Sequence, residues 1–158
     1  MDQYPPPHSA PPASSPPRPS HRLGLPLWAI VALALLSVPR IFAHDLGLDG
    51  GPLPALLTFV PVVVWVTVVL LARVPSPLMT LLAVGAVYGV ALGDVHNLLW
   101  DEVFGENGPA LGNLDADAAE VALRIATLVS SLFTGVMVGL ISGLVATGLR
   151  KAGTLRQR

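Results

Sequence analysis

Gly85, Gly89 and Gly93 fall four residues apart in one apolar run, and Gly135, Gly139 and Gly143 repeat the spacing in another, preceded by Ser131. Residues at i, i+4 and i+8 share one face of a helix, so each ladder is a strip without side chains. In lipid, apolar residues gain nothing by leaving the solvent, and such strips let helix backbones approach closely and associate. Two ladders in one chain predict a polytopic membrane protein whose last two spans pack together.

Composition agrees with that reading. The hydrophobic share is 53% against 12% charged residues, and the mean hydropathy of +0.67 belongs to membrane rather than soluble proteins. There is no cysteine, which excludes disulfides and thiol chemistry. Eight arginines against the single Lys151, with abundant Ala, Leu, Val, Gly and Pro, point to a GC-rich bacterial genome and hence to an inner, plasma membrane.

Four apolar stretches are long enough to span, at about 25–42, 53–72, 78–100 and 121–149. Each meets the requirement of roughly 20 residues for a hydrocarbon core about 30 Å thick. The fourth exceeds it, which predicts tilt or an extension past the interface. A Pro-rich segment precedes the first stretch, and Pro39 and Arg40 interrupt the place where a leader would be cut, so that stretch reads as a retained helix.

The basic residues set the orientation. Arg18, Arg22, Arg73, Arg150, Lys151, Arg156 and Arg158 all fall on one side of a four-span arrangement. Only Arg40 and Arg124 fall on the other, together with nine of the ten acids. Basic residues near span ends stay cytoplasmic, so both termini are expected inside. The predicted fold is an all-α integral membrane protein, a four-transmembrane-helix bundle with spans three and four antiparallel across their glycine ladders. It divides into a tail at 1–22, a transmembrane domain at 23–150 and a basic tail at 151–158.

The eight prolines of residues 1–22 preclude a packed core and predict a disordered, polyproline-leaning cytoplasmic tether. A ligand for a proline-recognising domain is the sharper alternative, with no specific motif behind it. The outer loop at 101–120 carries Asp101, Glu102, Glu106, Asp115, Asp117 and Glu120. Asn113, Asp115 and Asp117 are spaced like the start of a calcium loop, but Ala118 stands where glycine is required and Arg124 where the bidentate glutamate belongs. Asp117 is instead expected to cap the fourth span, with Glu120 completing a capping box.

Counting depth at about 1.5 Å per residue from the cytoplasmic ends places Gly85 level with Gly143, Gly89 with Gly139 and Gly93 with Gly135. Glycine is common in membrane helices. Yet all three glycines of span three, and three of the four in span four, lie in the ladders. Intramolecular packing is preferred to homo-oligomerisation because the two strips are connected and in register.

The costly residues are Arg40, Asp94, His96, Asn97, Asp101 and Arg124, near or within the outer hydrocarbon boundary. Intramembrane ionisable residues are functional candidates by default. Similar depths, about 22 and 24 Å from the inner ends of their spans, predict an Arg40–Asp94 pair. Arg124 is expected beside Asp101 or Glu102. Ser130, Ser131 and Thr134 are expected to hydrogen-bond across to span three. The bland reading makes these contacts structural, with Arg40 and Arg124 partly snorkelling. The sharp one has Asp94 and His96 bind protons or cations, since histidine changes charge near neutral pH. The bland reading is preferred because none of these residues lies at the bilayer centre. His44, Asp45, His96 and Glu102 could form an outer metal site, but no ligand spacing supports one. Pro61 frees the Leu57 carbonyl in span two and predicts a kink.

No catalytic set, phosphate loop, nucleotide fingerprint or basic nucleic-acid surface is present, and no cofactor is implied. The expected function is non-enzymatic: a small bacterial inner-membrane protein with a structural or partner-binding role, set in the lipid bilayer with a membrane protein or a second copy as partner. The alternative is a proton or cation transport component using the outer-end polar residues.

Overall fold

The computed structural model describes residues 23–48, 50–105 and 109–155. The expected tail at 1–22 lies outside the described residues, as do Asp49, Glu106, Arg156 and Arg158. Among the described residues every regular element is helical: α1 (Leu27–Leu35), α2 (Val38–Asp45), α3 (Leu53–Leu71), α4 (Pro77–Leu98), α5 (Trp100–Phe104) and α6 (Ala116–Leu155). Four stretches are long and apolar enough to cross a membrane: Leu27–Asp45, formed by α1 and α2 together, then α3, α4 and α6.

The first of these is broken at Leu36 and Ser37. Pro39 has no N–H to give the Leu35 carbonyl, and its ring collides with that carbonyl in a regular helix. The chain responds with tighter turns, Ser37 N bonding Ala34 O and Arg40 N bonding Ser37 O. Leu33 O thereby loses its usual donor four residues on. The buried Trp65 of α3 supplies one, its Nε1 lying 2.6 Å from Leu33 O.

One end of the bundle gathers residue 23, the α3–α4 turn and the far part of α6. Thr80 Oγ1 donates to Leu23 O at 2.5 Å, and Arg150 Nη1 donates to Val74 O at 2.9 Å. Gly24, at φ +71°, lies so close to Pro75 that no side chain would fit there. This hairpin end is filled by Ile30, Leu33, Ala34, Val69, Val74, Leu81, Val84 and Ala146. The opposite end carries the α2–α3 connection, α5 and the start of α6, and is the capped end below.

Helices α4 and α6 share the most extensive contact in the bundle. A Cβ added at Gly85 would meet Gly135 O and stand 2.7 Å from Gly139 Cα; one at Gly135 would stand 2.5 Å from Gly89 Cα. Gly93 faces Ser131 and Leu128, and Gly143 faces Leu78. The helices are therefore antiparallel, but the expected rung-for-rung register is corrected. Gly85 sits between Gly135 and Gly139 rather than at Gly143. The physical reason is the reference level: the expectation sets Leu149 level with Leu78, whereas Arg150 stands beside Val74, about four residues earlier in the chain.

The start of α6 also differs from expectation. Asp115, not Asp117, caps it, its Oδ1 accepting from Ala118 N at 2.9 Å. The position three beyond the cap is Ala118, so there is no capping box, and Glu120 bonds Arg124 instead.

Candidate functional site

Each helix around the capped half turns one stripe towards a shared cavity of about 390 Å³. Ser37, Arg40, Ile41 and His44 follow helical spacing on α2, and Tyr88, Leu92 and His96 follow it on α4. Leu57, Thr58, Val62 and Trp65 contribute from α3, Thr134 and Val138 from α6. Its volume is at the lower end of the range of about 300–1,000 Å³ typical of small-molecule sites. A second, more open groove shares Leu92, His96 and Thr134 with it and continues along α6 past Ser130 and Thr127.

Arg40 is half-buried, and its Nε donates to Thr58 Oγ1 at 3.1 Å. Thr58 in turn donates to Pro54 O at 2.8 Å, so the guanidinium is steadied by a short chain of bonds reaching the α3 backbone. Pro61, buried within α3, leaves the carbonyl of the wall residue Leu57 without its helical donor.

At the capped edge a carboxylate bridges two histidines. Asp45 accepts from His96 Nδ1 at 2.6 Å and from His44 Nδ1 at 3.1 Å. Its side chain is only 4% exposed, against 27% for His96 and 57% for His44. The two imidazoles meet edge to face, with centroids 6.3 Å apart. The Asp45–His96 bond joins α2 to α4 across 51 residues of sequence. Of the four residues considered as metal ligands, Glu102 lies exposed on α5 away from this trio. Among the described residues no group of three or more His, Asp or Glu is arranged to hold a metal.

The expected Arg40–Asp94 pair is not formed. Asp94 lies on the exposed face of α4, while Arg40 reaches Thr58. Equal depth does not give equal facing: two residues apart on a helix, Asp94 and His96 point about 160° away from one another. The same angle rules out one site built from both.

Asn97, Asp101 and Arg124 form a separate group. Arg124 bonds Glu120 at 2.7 Å and donates to Asn97 O at 2.9 Å, with Asp101 at 3.5 Å. Its guanidinium also stands 4.9 Å from the Trp100 ring centroid, a cation–π arrangement. Asn97 Nδ2 donates back to Gly93 O. Ser131 is buried where α6 meets Gly93, and Thr134 donates to Ser130 O in its own helix rather than across to α4.

Sequence reasoning put Arg40 and His96 among the candidates but left Tyr88, Thr58 and the bridging role of Asp45 unnoticed. The available signal was the stripe at Ser37, Arg40 and His44, which presents polar and charged side chains on one face. No family model, curated protein or solved structure matches this chain.

Proposed function

We propose that this protein is a small multi-pass plasma-membrane protein of bacterial type with a binding rather than a transporting or catalytic role. Its hairpin end, with Arg73, Arg150 and Lys151, faces the cytoplasm together with both termini, and the capped end faces outward. The glycine strips of α4 and α6 act as the packing spine that holds the bundle together in lipid.

One observation carries the reading. The cavity that Arg40 and His96 line is confined to the capped half and ends on a floor of apolar side chains. Below Trp65 the interior is closed by Leu33, Val69, Leu81, Val84 and Ala146. Towards the hairpin end the buried polar residues among those described are Thr80 and Ser142, neither of them ionisable. Thr80 and Ser142 are bonded to backbone carbonyls. A proton or ion entering from the capped end meets no relay through the other half, where a conduit requires one. A blind cavity serves recognition of a ligand or partner.

The test is proton and cation flux in proteoliposomes. Flux indistinguishable from protein-free vesicles is expected for the wild type. Flux in the wild type that disappears in Asp45→Asn, with the fold retained, would establish a transport role and overturn the proposal.

A further inference from the structure

Much of the polar wall of the cavity between α2, α3, α4 and α6 is already engaged. Thr58 and Thr134 donate their hydroxyl protons to Pro54 O and Ser130 O in their own helices. Trp65 Nε1 is taken by Leu33 O, and Arg40 has partners of its own, Thr58 among them. Among the described lining residues there is no carboxylate.

What is left lies at the two ends. His44 and His96 both turn Nδ1 to Asp45. An ionised carboxylate only accepts, so each Nδ1 carries the proton and Nε2 of the neutral ring is an acceptor. At the deep end are the hydroxyls of Ser37 and Tyr88, which make no hydrogen bond among the described residues. Neither these two oxygens nor His96 Nε2 is a sealed atom, so all three are within reach of an occupant of the cavity their residues line.

The two ends are level pairs. The His44 and His96 rings meet at 6.3 Å. Ser37 lies seven residues before His44, and Tyr88 eight before His96. At about 1.5 Å per residue both sit deeper by about 10–12 Å. Trp65 and Tyr88 close that end edge to face, and the remaining wall is aliphatic: Ile41, Leu57, Val62, Leu92 and Val138.

We infer that the cavity takes a neutral ring with oxygens at opposite ends, a ligand of the hydroquinone class. One O–H is set on a histidine Nε2 and the other oxygen at Tyr88 and Ser37. The inference deepens the binding role proposed above and rests on it. A single ring with a hydrogen bond of about 2.8 Å at each oxygen spans a distance of this order. Its apolar body meets the aliphatic wall, and its edge packs on the Trp65–Tyr88 pair. A rigid ring holds both oxygens in place with little loss of conformational entropy, which a flexible alcohol does not. The groove that shares Leu92, His96 and Thr134 gives a substituent on the ring a way out along α6.

The test is equilibrium binding of tritiated 2-decyl-1,4-hydroquinone to the full chain in a non-ionic detergent under nitrogen. Its dimethyl ether and 1-decanol serve as competitors. Saturable binding is expected, with both competitors at least about tenfold weaker than the unlabelled hydroquinone. Tyr88→Phe removes a hydroxyl that has no partner in the unliganded protein. His96→Asn keeps an N–H for Asp45 but has no acceptor in place of Nε2. Each is expected to raise the Kd about fivefold, while Asp94→Asn, on the far face of α4, leaves it unchanged. Val138→Phe fills the deep end and is expected to abolish saturable binding. Competition by the ether or by decanol equal to that of the hydroquinone overturns the inference. So does a wild-type Kd in Tyr88→Phe, His96→Asn or Val138→Phe, or the absence of saturable binding. The flux measurement above is read separately: no binding and no flux removes the ring ligand and leaves the binding role standing.

Discussion

Trp65 donates its indole N–H to Leu33 O at 2.6 Å, joining α3 to α1 where Pro39 has disrupted the helical bonding of the first span. The ring is fully buried and meets Tyr88 edge to face at 5.8 Å. One side chain therefore mends a backbone defect, seals the core and forms the floor of the cavity.

Replacing that donor separates the bond from the packing. Trp65→Phe keeps an aromatic ring but leaves Leu33 O with only the longer bond from Leu36 N, and a loss of about 1 kcal/mol is expected. Trp65→Ala also opens a void and is expected to cost about 3–5 kcal/mol. Unfolding in a fixed detergent measures both. Equal costs for the two variants would show that the hydrogen bond rather than the ring dominates.

The glycine contacts make a position-specific prediction. Gly85→Ala and Gly135→Ala place a methyl group against backbone of the facing helix and are expected to destabilise by about 1–3 kcal/mol. At Gly148 nothing lies within 4 Å, and Gly148→Ala is expected to leave the melting temperature unchanged or slightly raised. Similar shifts at all three positions would contradict the observed register.

The two histidines on Asp45 are unequal. His96→Ala removes the shorter bond, the one that links α2 to α4, and leaves a carboxylate that is 4% exposed with only the longer bond to His44. A loss of about 1–3 kcal/mol is expected. His44 is the sequence neighbour of Asp45 and largely exposed, so His44→Ala is expected to cost under about 1 kcal/mol. A double-mutant cycle with Asp45→Asn reads the coupling directly. A larger coupling for His44 than for His96 would refute this ranking.

Asp94→Asn is expected to change stability by no more than about 0.5 kcal/mol, because the side chain is exposed on the far face of α4. Thermal unfolding beside wild type is the measurement. A loss near that of His96→Ala would mean that Asp94 has a partner in the folded bundle.

The four apolar spans were legible because hydropathy and segment length are properties of contiguous residues. The pairing of α4 with α6 was visible for a related reason, since an i+4 glycine repeat marks a helix face without reference to any other segment. What depth counting missed was rotation. Arg40 and Asp94 share a level but not a facing, and only the angular position of each helix sends Arg40 to Thr58. The register was misjudged because the overhang of α6 is set by Arg150 reaching Val74, a contact between residues 76 apart. Likewise, Asp115 and Asp117 are both good capping residues, and which one caps depends on where the preceding loop leaves the chain. The cavity was hidden because four stripes from four helices form a site only after all of them are oriented.

Helix α6 runs without interruption from Ala116 to Leu155, 40 residues and hence about 60 Å. Its bond from Arg124 to Asn97 O marks the level where α4 ends, and its bond from Arg150 to Val74 O marks the opposite turn. One uninterrupted helix thus carries side-chain bonds at both ends of the bundle, to Asn97 O, Glu120 and Asp101 through Arg124 at the acidic cap and to Val74 O through Arg150 at the α3–α4 turn.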